Sequence, residues 1–167
     1  MMKKIFLFAL ALAACCAACD DDRDGLDFED DNDEIVGGHL TGRNMHFYGT
    51  STVYNPDGTT AFVDRAARVE FAGLDEAVIY LHQTRFAADM QAVDLRIYEL
   101  PYTGFDRSIF FTTDSIVPQV RIEWMNYQPQ EDLLITGLKG SVVNVDCDIE
   151  YTCKGCRVVY HGRMLDD

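Results

Sequence analysis

The stretch that decides the fold is VDCDIEYTCKGCRVVYHGR, residues 145–163. Lys154-Gly155 is a typical two-residue hairpin turn, because glycine readily adopts the positive φ that such turns need. Pairing the residues across this turn gives both strands one polar and one apolar face, and a slip of one residue would exchange the two faces. The predicted pairs are Cys153 with Cys156, Thr152 with Arg157, Glu150 with Val159, Asp148 with His161, and Asp146 with Arg163.

The apolar face of this hairpin carries the residues expected inside the domain. Tyr151, Tyr160, Ile149 and Val158 lie on it and are the candidate barrel-lining residues. Aromatic residues on alternating strands more often fill a core than line a pocket. A filled core is therefore the first expectation for these side chains, and a ligand pocket is the alternative.

The same alternation extends upstream of the hairpin, from about residue 39. Short alternating runs are separated by turn residues, most clearly by Asn-Pro-Asp-Gly at 55–58. Runs at roughly 10-residue spacing, without a sustained helical period, predict an all-β domain. We expect an antiparallel up-and-down barrel of about eight strands, which encloses either a side-chain-filled core or one small ligand.

Charge is concentrated in one segment of this 167-residue chain. The whole sequence has 28 Asp and Glu against 14 Lys and Arg, and ten of the fifteen residues at 20–34 are acidic. Like charges repel and stay solvated, so this run predicts a disordered tether. A calcium loop is the alternative, but the spacing does not match an EF-hand. The excess negative charge argues against nucleic acid and against an anionic membrane face as partners.

The N-terminal stretch MMKKIFLFALALAACCAAC predicts export of the chain. Two lysines precede an apolar run at 5–18, which is too short to span a bilayer and fits a secretory signal. Small residues leading into cysteines resemble a lipoprotein signal peptide. Cys19 is the expected lipidated residue because an acidic run follows it, as in surface lipoproteins of Bacteroidetes-type bacteria. Cys15 is the alternative, because Leu-Ala-Ala-Cys at 12–15 matches the usual lipobox better.

These features divide the chain into three predicted parts. Residues 1–18 form the signal peptide, residues 19–36 the lipidated cysteine and acidic tether, and residues 37–167 the β-barrel domain. Several acyl chains on one cysteine suffice for stable membrane anchoring. We therefore expect an outer-membrane, lipid-anchored protein that is exposed on the cell surface.

Four short motifs resemble the calycin-like, lipocalin-like β-barrel lipoproteins of Bacteroides and its relatives. They are RFAADM at 85–90, SIVP at 115–118, ITGLKG at 135–140 and CKGCRVVYHG at 153–162. The resemblance covers roughly residues 40–163. It implies a calycin-type barrel, and because ligands of that family are generally unassigned, it implies no substrate.

The chemistry-bearing residues predict no catalytic centre, metal site or cofactor. A zinc site at Cys147, Cys153 and Cys156 is disfavoured, because Cys147 lies about 20 Å along the strand from Cys153. His161, a further nitrogen ligand, points to the opposite face. A disulfide between Cys153 and Cys156 is the candidate covalent feature in an exported protein, with free buried thiols as the alternative.

Two functions are compatible with this sequence. In the first, the barrel binds a small apolar or amphipathic ligand, and a cavity of a few hundred Å³ would favour it. In the second, a filled barrel acts as a structural or accessory surface protein through a protein or glycan partner, and an exposed apolar patch would favour it. A hydrolase with paired carboxylates is a more distant third hypothesis.

Overall fold

A computed structural model describes residues 44–73, 76–105 and 108–164 of the chain. The predicted signal peptide, the lipidated Cys19 or its alternative Cys15, and the acidic tether lie outside these residues. Within them the chain forms eleven strands and one 3-10 helix, none of which is a helix that could cross a membrane. The strands are β1 Met45–Tyr54, β2 Thr60–Gly73, β3 Ala77–Thr84, β4 Val93–Leu100, β5 Tyr102–Phe105, β6 Ser108–Ile116, β7 Gln119–Glu123, β8 Asn126–Pro129, β9 Ile135–Val143, β10 Asp146–Cys153 and β11 Cys156–Met164, and the 3-10 helix is Glu131–Leu133.

All eleven strands belong to one antiparallel sheet that curls into a half-barrel. Its order is β5-β6-β9-β10-β11-β1-β2-β3-β4-β7-β8. The all-β antiparallel prediction is therefore confirmed. The sheet brings the first and last described strands together, because β1 pairs with β11 from Phe47↔Met164 to Tyr54↔Arg157.

The predicted count of about eight strands is wrong, and two prolines contribute to the difference. Pro101 alone separates β4 from β5, and Val117-Pro118 separates β6 from β7. Proline has no N–H to donate to a sheet ladder, so an extended run breaks at each position. The broken runs still pair with each other, β5 with β6 and β4 with β7. The short strand β8 is a further addition at the sheet edge.

The predicted register of the last hairpin is confirmed at every pair from Asp146↔Arg163 to Cys153↔Cys156. Its polar face carries cross-strand charge pairs, with His161 Nδ1 2.7 Å from Asp148 Oδ1 and Arg157 Nη1 3.4 Å from Glu150 Oε1. These side chains are largely exposed, so each pair contributes at most about 1 kcal/mol. Burial of the opposite face therefore fixes the register more strongly than the charges do.

The core fills the concave side of the curled sheet. Phe71 of β2 packs its ring against Phe111 of β6, with centroids 5.6 Å apart, and edge-on against Tyr102 of β5 at 6.4 Å. The strands β9, β10, β11 and β1 lie between β6 and β2 in the sheet order, so these contacts cross the interior. Fully burying one such aromatic side chain contributes about 1.5–3 kcal/mol, so these side chains help to stabilise the domain.

Candidate functional site

A lateral crevice opens where β2 and β3 part. The β2–β3 ladder runs from Gly73↔Ala77 to Arg68↔His82, whereas residues 60–67 of β2 extend beyond it and pair with β1. Inward-facing side chains of β10 and β11 reach this gap from the concave side of the sheet. The crevice is therefore a break in the wall of the half-barrel that exposes part of its interior.

Irregular backbone on both sides produces the gap. The β1–β2 register shifts between Gly49 and Ser51, and the Ala66 N–H donates to Asp64 Oδ1 at 2.9 Å beside that shift. On the other side the β3–β4 register shifts between Leu81 and Thr84, where Gln83 has a φ of 51°. Bulges of this kind re-aim side chains and end strand pairing.

The crevice combines an apolar floor with a polar rim, and its enclosed volume is small. The cavity measures about 20 Å³, which is room for about one water-sized group. The crevice is thus far smaller than the few hundred Å³ expected for a barrel that encloses a whole ligand. Only an end group fits inside without side-chain movement. The floor includes Phe62, Val69, Leu81, Tyr151, Val158 and Tyr160, and the rim includes Ser51, Asp64, Arg68, His82, Thr84 and Arg85.

Three residues that line this crevice each have a buried polar atom with no hydrogen-bond partner among the described residues. These atoms are Nε2 of His82, Nε of Arg85 and the hydroxyl oxygen of Tyr160. These three are also the full set of such side-chain atoms found in the described part of the chain. An unsatisfied buried polar group costs about 1–3 kcal/mol, and native proteins keep few of them. Because all three residues line one small cavity, that cavity is the candidate site.

Of the two arginines that line the crevice, Arg68 and Arg85, only Arg85 has a buried nitrogen without a hydrogen bond. Its guanidinium lies 5.5 Å from the centroid of the Phe62 ring. No carboxylate of the described residues forms an ion pair with it, whereas Arg121, Arg157 and Arg163 each lie beside one. A half-buried cation without a counter-charge is costly, so Arg85 is suited to receive a negative charge from outside the chain.

The loop after β3 holds Arg85 in place through its two neighbours in sequence. The Thr84 side chain hydrogen-bonds the hydroxyl of Tyr151. Phe86 packs edge-on against the same tyrosine, with ring centroids 6.2 Å apart. Because residues on both sides of it are attached to one buried ring, Arg85 is fixed at the rim of the crevice.

A buried carboxylate, Asp94, supports the β3 side of the crevice at Gln83. Asp94 is only 7% exposed, and its Oδ1 accepts hydrogen bonds from the Gln83 N–H at 2.8 Å and from Gln83 Nε2 at 3.0 Å. Arg121 pairs with the other oxygen. Burial raises the pKa of Asp94, but the Gln83 hydrogen bonds and the Arg121 and His82 charges outweigh it and hold the pKa below 3.8. Asp94 thus stabilises the unusual backbone of Gln83, next to His82.

His82 is attached to the outer face of the sheet. Its ring stacks on Tyr80 with centroids 6.4 Å apart. Its Nε2 lies 3.5 Å from Glu70 Oε2, close enough for an electrostatic contact but not for a well-formed hydrogen bond. Glu70 also accepts a 2.8 Å hydrogen bond from Asn44 Nδ2. His82 therefore links the crevice rim to the polar outer surface.

The four candidate barrel-lining residues are all buried. Tyr151, Tyr160 and Val158 line the crevice, while Ile149 lies in the core beside it. Burial raises the pKa of both Tyr151 and Tyr160 above the ordinary value of 10.0. Both tyrosines therefore stay protonated and act as neutral hydrogen-bonding groups.

The cysteines at the hairpin turn lie away from this site. Cys153 and Cys156 are opposite each other in the ladder, and both are free thiols in the structure, as is Cys147. The Cys153 thiol donates to the Leu133 carbonyl at 3.4 Å. Burial raises the pKa of Cys153 to about 11 and that of Cys147 to about 12. The disulfide between Cys153 and Cys156 stays a prediction for the exported protein.

Sequence reasoning missed most of the polar rim. Periodicity indicates only an ordinary strand residue at His82, and it does not single out Arg85, Asp64 or Thr84. The available signal is weak, because Arg85 directly follows an alternating strand and looks like any loop arginine. Its lack of a carboxylate partner is a tertiary property that spacing does not reveal.

Two exposed apolar surfaces lie elsewhere. At the β7–β8 turn, Trp124 is 86% and Met125 80% exposed. Beside the edge strand β5, an open groove of about 310 Å³ is lined by Pro101, Thr103, Phe110 and their neighbours. Large exposed apolar groups at a tip or groove are typical of contact surfaces.

The described residues contain no cluster of three or more His, Cys, Asp or Glu arranged to hold a metal ion. No family model matches the sequence, and comparisons with curated proteins and with solved structures find no match.

Proposed function

We propose that this chain is a lipid-anchored, non-enzymatic surface protein whose β domain binds a small amphipathic ligand at the β2–β3 crevice. The observation that carries the proposal is that three residues lining one cavity with an apolar floor, His82, Arg85 and Tyr160, each have a buried polar atom without a hydrogen bond. Binding sites typically combine such a floor with a few polar groups that orient the ligand.

The geometry favours a ligand that inserts only its polar end. The 20 Å³ cavity accepts one small group, so the apolar part of the ligand lies towards the opening. Phe62 and Tyr151 offer aromatic surface there. The polar end supplies hydrogen bonds to buried polar atoms that otherwise have none, and this difference favours the bound state.

The proposal also includes a lipid anchor and a calycin-like barrel topology. We propose that Cys19, or alternatively Cys15, is lipidated after removal of a signal peptide. The acidic tether then holds the domain at the outer surface of the outer membrane. The eleven strand segments would represent a calycin-like up-and-down barrel in which Pro101 and Pro118 each interrupt one long strand. The pairing of β4 with β7 and of β5 with β6 supports this interpretation.

Native mass spectrometry of the full chain tests the binding function. The chain is isolated from a lipoprotein-exporting bacterial host and compared with Tyr160→Phe and with the control Tyr48→Phe, which removes a hydroxyl from an exposed position of β1. We expect a reproducible extra mass on the wild type and on the control. Tyr160→Phe should lower the occupied fraction, about fivefold in affinity for one hydrogen bond worth about 1 kcal/mol.

The Tyr160 comparison has a built-in check on folding. Because the Tyr160 hydroxyl is buried without a partner, its removal should leave the free energy of unfolding unchanged or raise it by about 1–2 kcal/mol. Tyr48 is 43% exposed, so its variant should change neither stability nor occupancy. A ligand-free mass from well-folded wild-type protein would contradict the proposed function.

A second function is favoured by one observation, the exposed pair Trp124 and Met125 at the β7–β8 turn. In this alternative the filled half-barrel is a scaffold, and the turn contacts a protein or glycan partner on the cell surface. A ligand-free mass together with loss of partner binding in Trp124→Ser would favour this second function over the first.

A further inference from the structure

We infer that the crevice recognises a single carboxylate group carried on a short apolar body, and that Arg85 is the residue that binds it. This inference rests on the proposed ligand-binding function and names the chemical class of the ligand. The juxtaposition that supports it is the side chain of Arg85, whose buried Nε makes no hydrogen bond, in a crevice that Phe62 and Tyr151 also line.

The positive charge of Arg85 predicts that the ligand carries a negative charge. Its Nε is buried and makes no hydrogen bond, and its guanidinium lies 5.5 Å from the centroid of the Phe62 ring. A guanidinium presents its N–H donors in a planar fork that matches the two oxygens of a carboxylate. An incoming carboxylate would therefore satisfy both the missing counter-charge and the missing hydrogen bond.

The charges of the rim favour a ligand with one negative charge, because Arg68 and Arg85 lie there with one carboxylate, Asp64. Asp64 also lines the crevice, and residues 35–167 contain 18 acidic against 11 basic residues. Both would repel a polyanion such as a phosphorylated sugar. The small cavity likewise admits one planar end group, while Phe62 and Tyr151 favour an apolar or aromatic body.

Tyr160, which also lines the crevice, fits the same ligand. The hydroxyl of Tyr160 keeps its proton, because burial raises its pKa, and it can donate to a carboxylate oxygen. A carboxylate, which accepts several hydrogen bonds at once, can use donors from more than one side of the crevice.

A matched pair of probes tests the inference on the full chain in lipid nanodiscs. The probes are 4-phenylbutyrate and its neutral analogue 4-phenylbutanamide, which share the same apolar body. Binding is followed by NMR through the arginine Nε–Hε signals, with empty nanodiscs as the control for partitioning. We expect the carboxylate to bind about ten- to a hundredfold more tightly than the amide, because its hydrogen bond to Arg85 joins two charged groups and that of the amide does not. The Arg85 Nε–Hε signal should shift on binding.

Three variants assign the effect to Arg85. Arg85→Gln should abolish the preference for the carboxylate, while Arg85→Lys, which keeps the charge but loses the fork, should retain part of it. Arg65→Gln removes an exposed arginine from the neighbouring strand β2 and should change nothing. Unchanged backbone spectra of the variants establish that they are folded.

The outcomes separate this inference from the proposed function. A carboxylate preference that depends on Arg85 supports the inference. Equal binding of both probes, or a preference that survives in Arg85→Gln, overturns it, while a ligand found by native mass spectrometry still supports the proposed function. Failure of both probes to bind also overturns the inference, and the native mass spectrum then decides separately whether the crevice takes another ligand.

Discussion

Replacement of Asp94 by asparagine tests how the crevice wall is held together. Asparagine keeps the shape of the side chain but removes its charge. The two hydrogen bonds from Gln83 lose their charge assistance, which is worth about 0.5–1 kcal/mol each. The ion pair with the half-exposed Arg121 adds at most about 1 kcal/mol. Asp94→Asn should therefore lower the free energy of unfolding by about 1–3 kcal/mol at pH 7.

The sign of the pH dependence follows from the lowered pKa of Asp94. A carboxyl group whose pKa is lower in the folded state than in the unfolded state stabilises the fold above its unfolded pKa, and that contribution is lost as pH falls through the folded pKa. The difference between the wild type and Asp94→Asn should thus be complete at pH 7 and shrink below 3.8. Urea denaturation at several pH values measures it.

A surface ion pair supplies the matched control for this experiment. Asp146 lies 3.9 Å from Arg163, and both side chains are largely exposed. Asp146→Asn should change the free energy of unfolding by less than about 0.5 kcal/mol. Wild-type stability of Asp94→Asn at pH 7 would refute this reasoning, as would a deficit that persists undiminished under acid conditions where the wild type still folds.

Three further predictions concern other parts of the domain. Gly49→Ala should destabilise the fold by about 1–3 kcal/mol or more in urea denaturation, because its Cβ would collide with backbone atoms of His161 and Gly162; a neutral effect would contradict the observed approach of β1 and β11. At pH 8, Cys153 should react with iodoacetamide far more slowly than the same thiol in urea, because its pKa is raised to about 11; equal rates by mass spectrometry would contradict its burial. The fluorescence of Trp124, the single tryptophan of the chain, should be quenched by acrylamide as efficiently as in the unfolded protein, and a protected signal would show that the turn is covered.

The last hairpin was predictable because two independent patterns agree. The Lys154-Gly155 turn fixes which residues face each other, and the period of two then separates polar from apolar positions. A wrong register would have placed Tyr151 and Tyr160 on the polar face. The structure confirms the pairing and buries both tyrosines.

The strand count and the crevice depend on local breaks in the alternation of polar and apolar residues. Pro101 and Pro118 divide runs that alternate on both sides of them, so sequence periodicity does not reveal the division. The opening beside β3 depends on a register shift near Gln83, which no turn motif announces. Whether Arg85 has a carboxylate partner depends on which distant side chains the fold brings near it, and this information lies in the tertiary structure.

A high-resolution crystal structure of the chain as isolated from a lipoprotein-exporting host tests the central claim most directly. We expect electron density for a small amphipathic molecule at the β2–β3 crevice, with its polar end beside Arg85 and Tyr160 and its apolar part against Phe62. A ligand located instead in the open groove beside β5, or a crevice that holds only solvent while the isolated protein carries no bound mass, would contradict that claim.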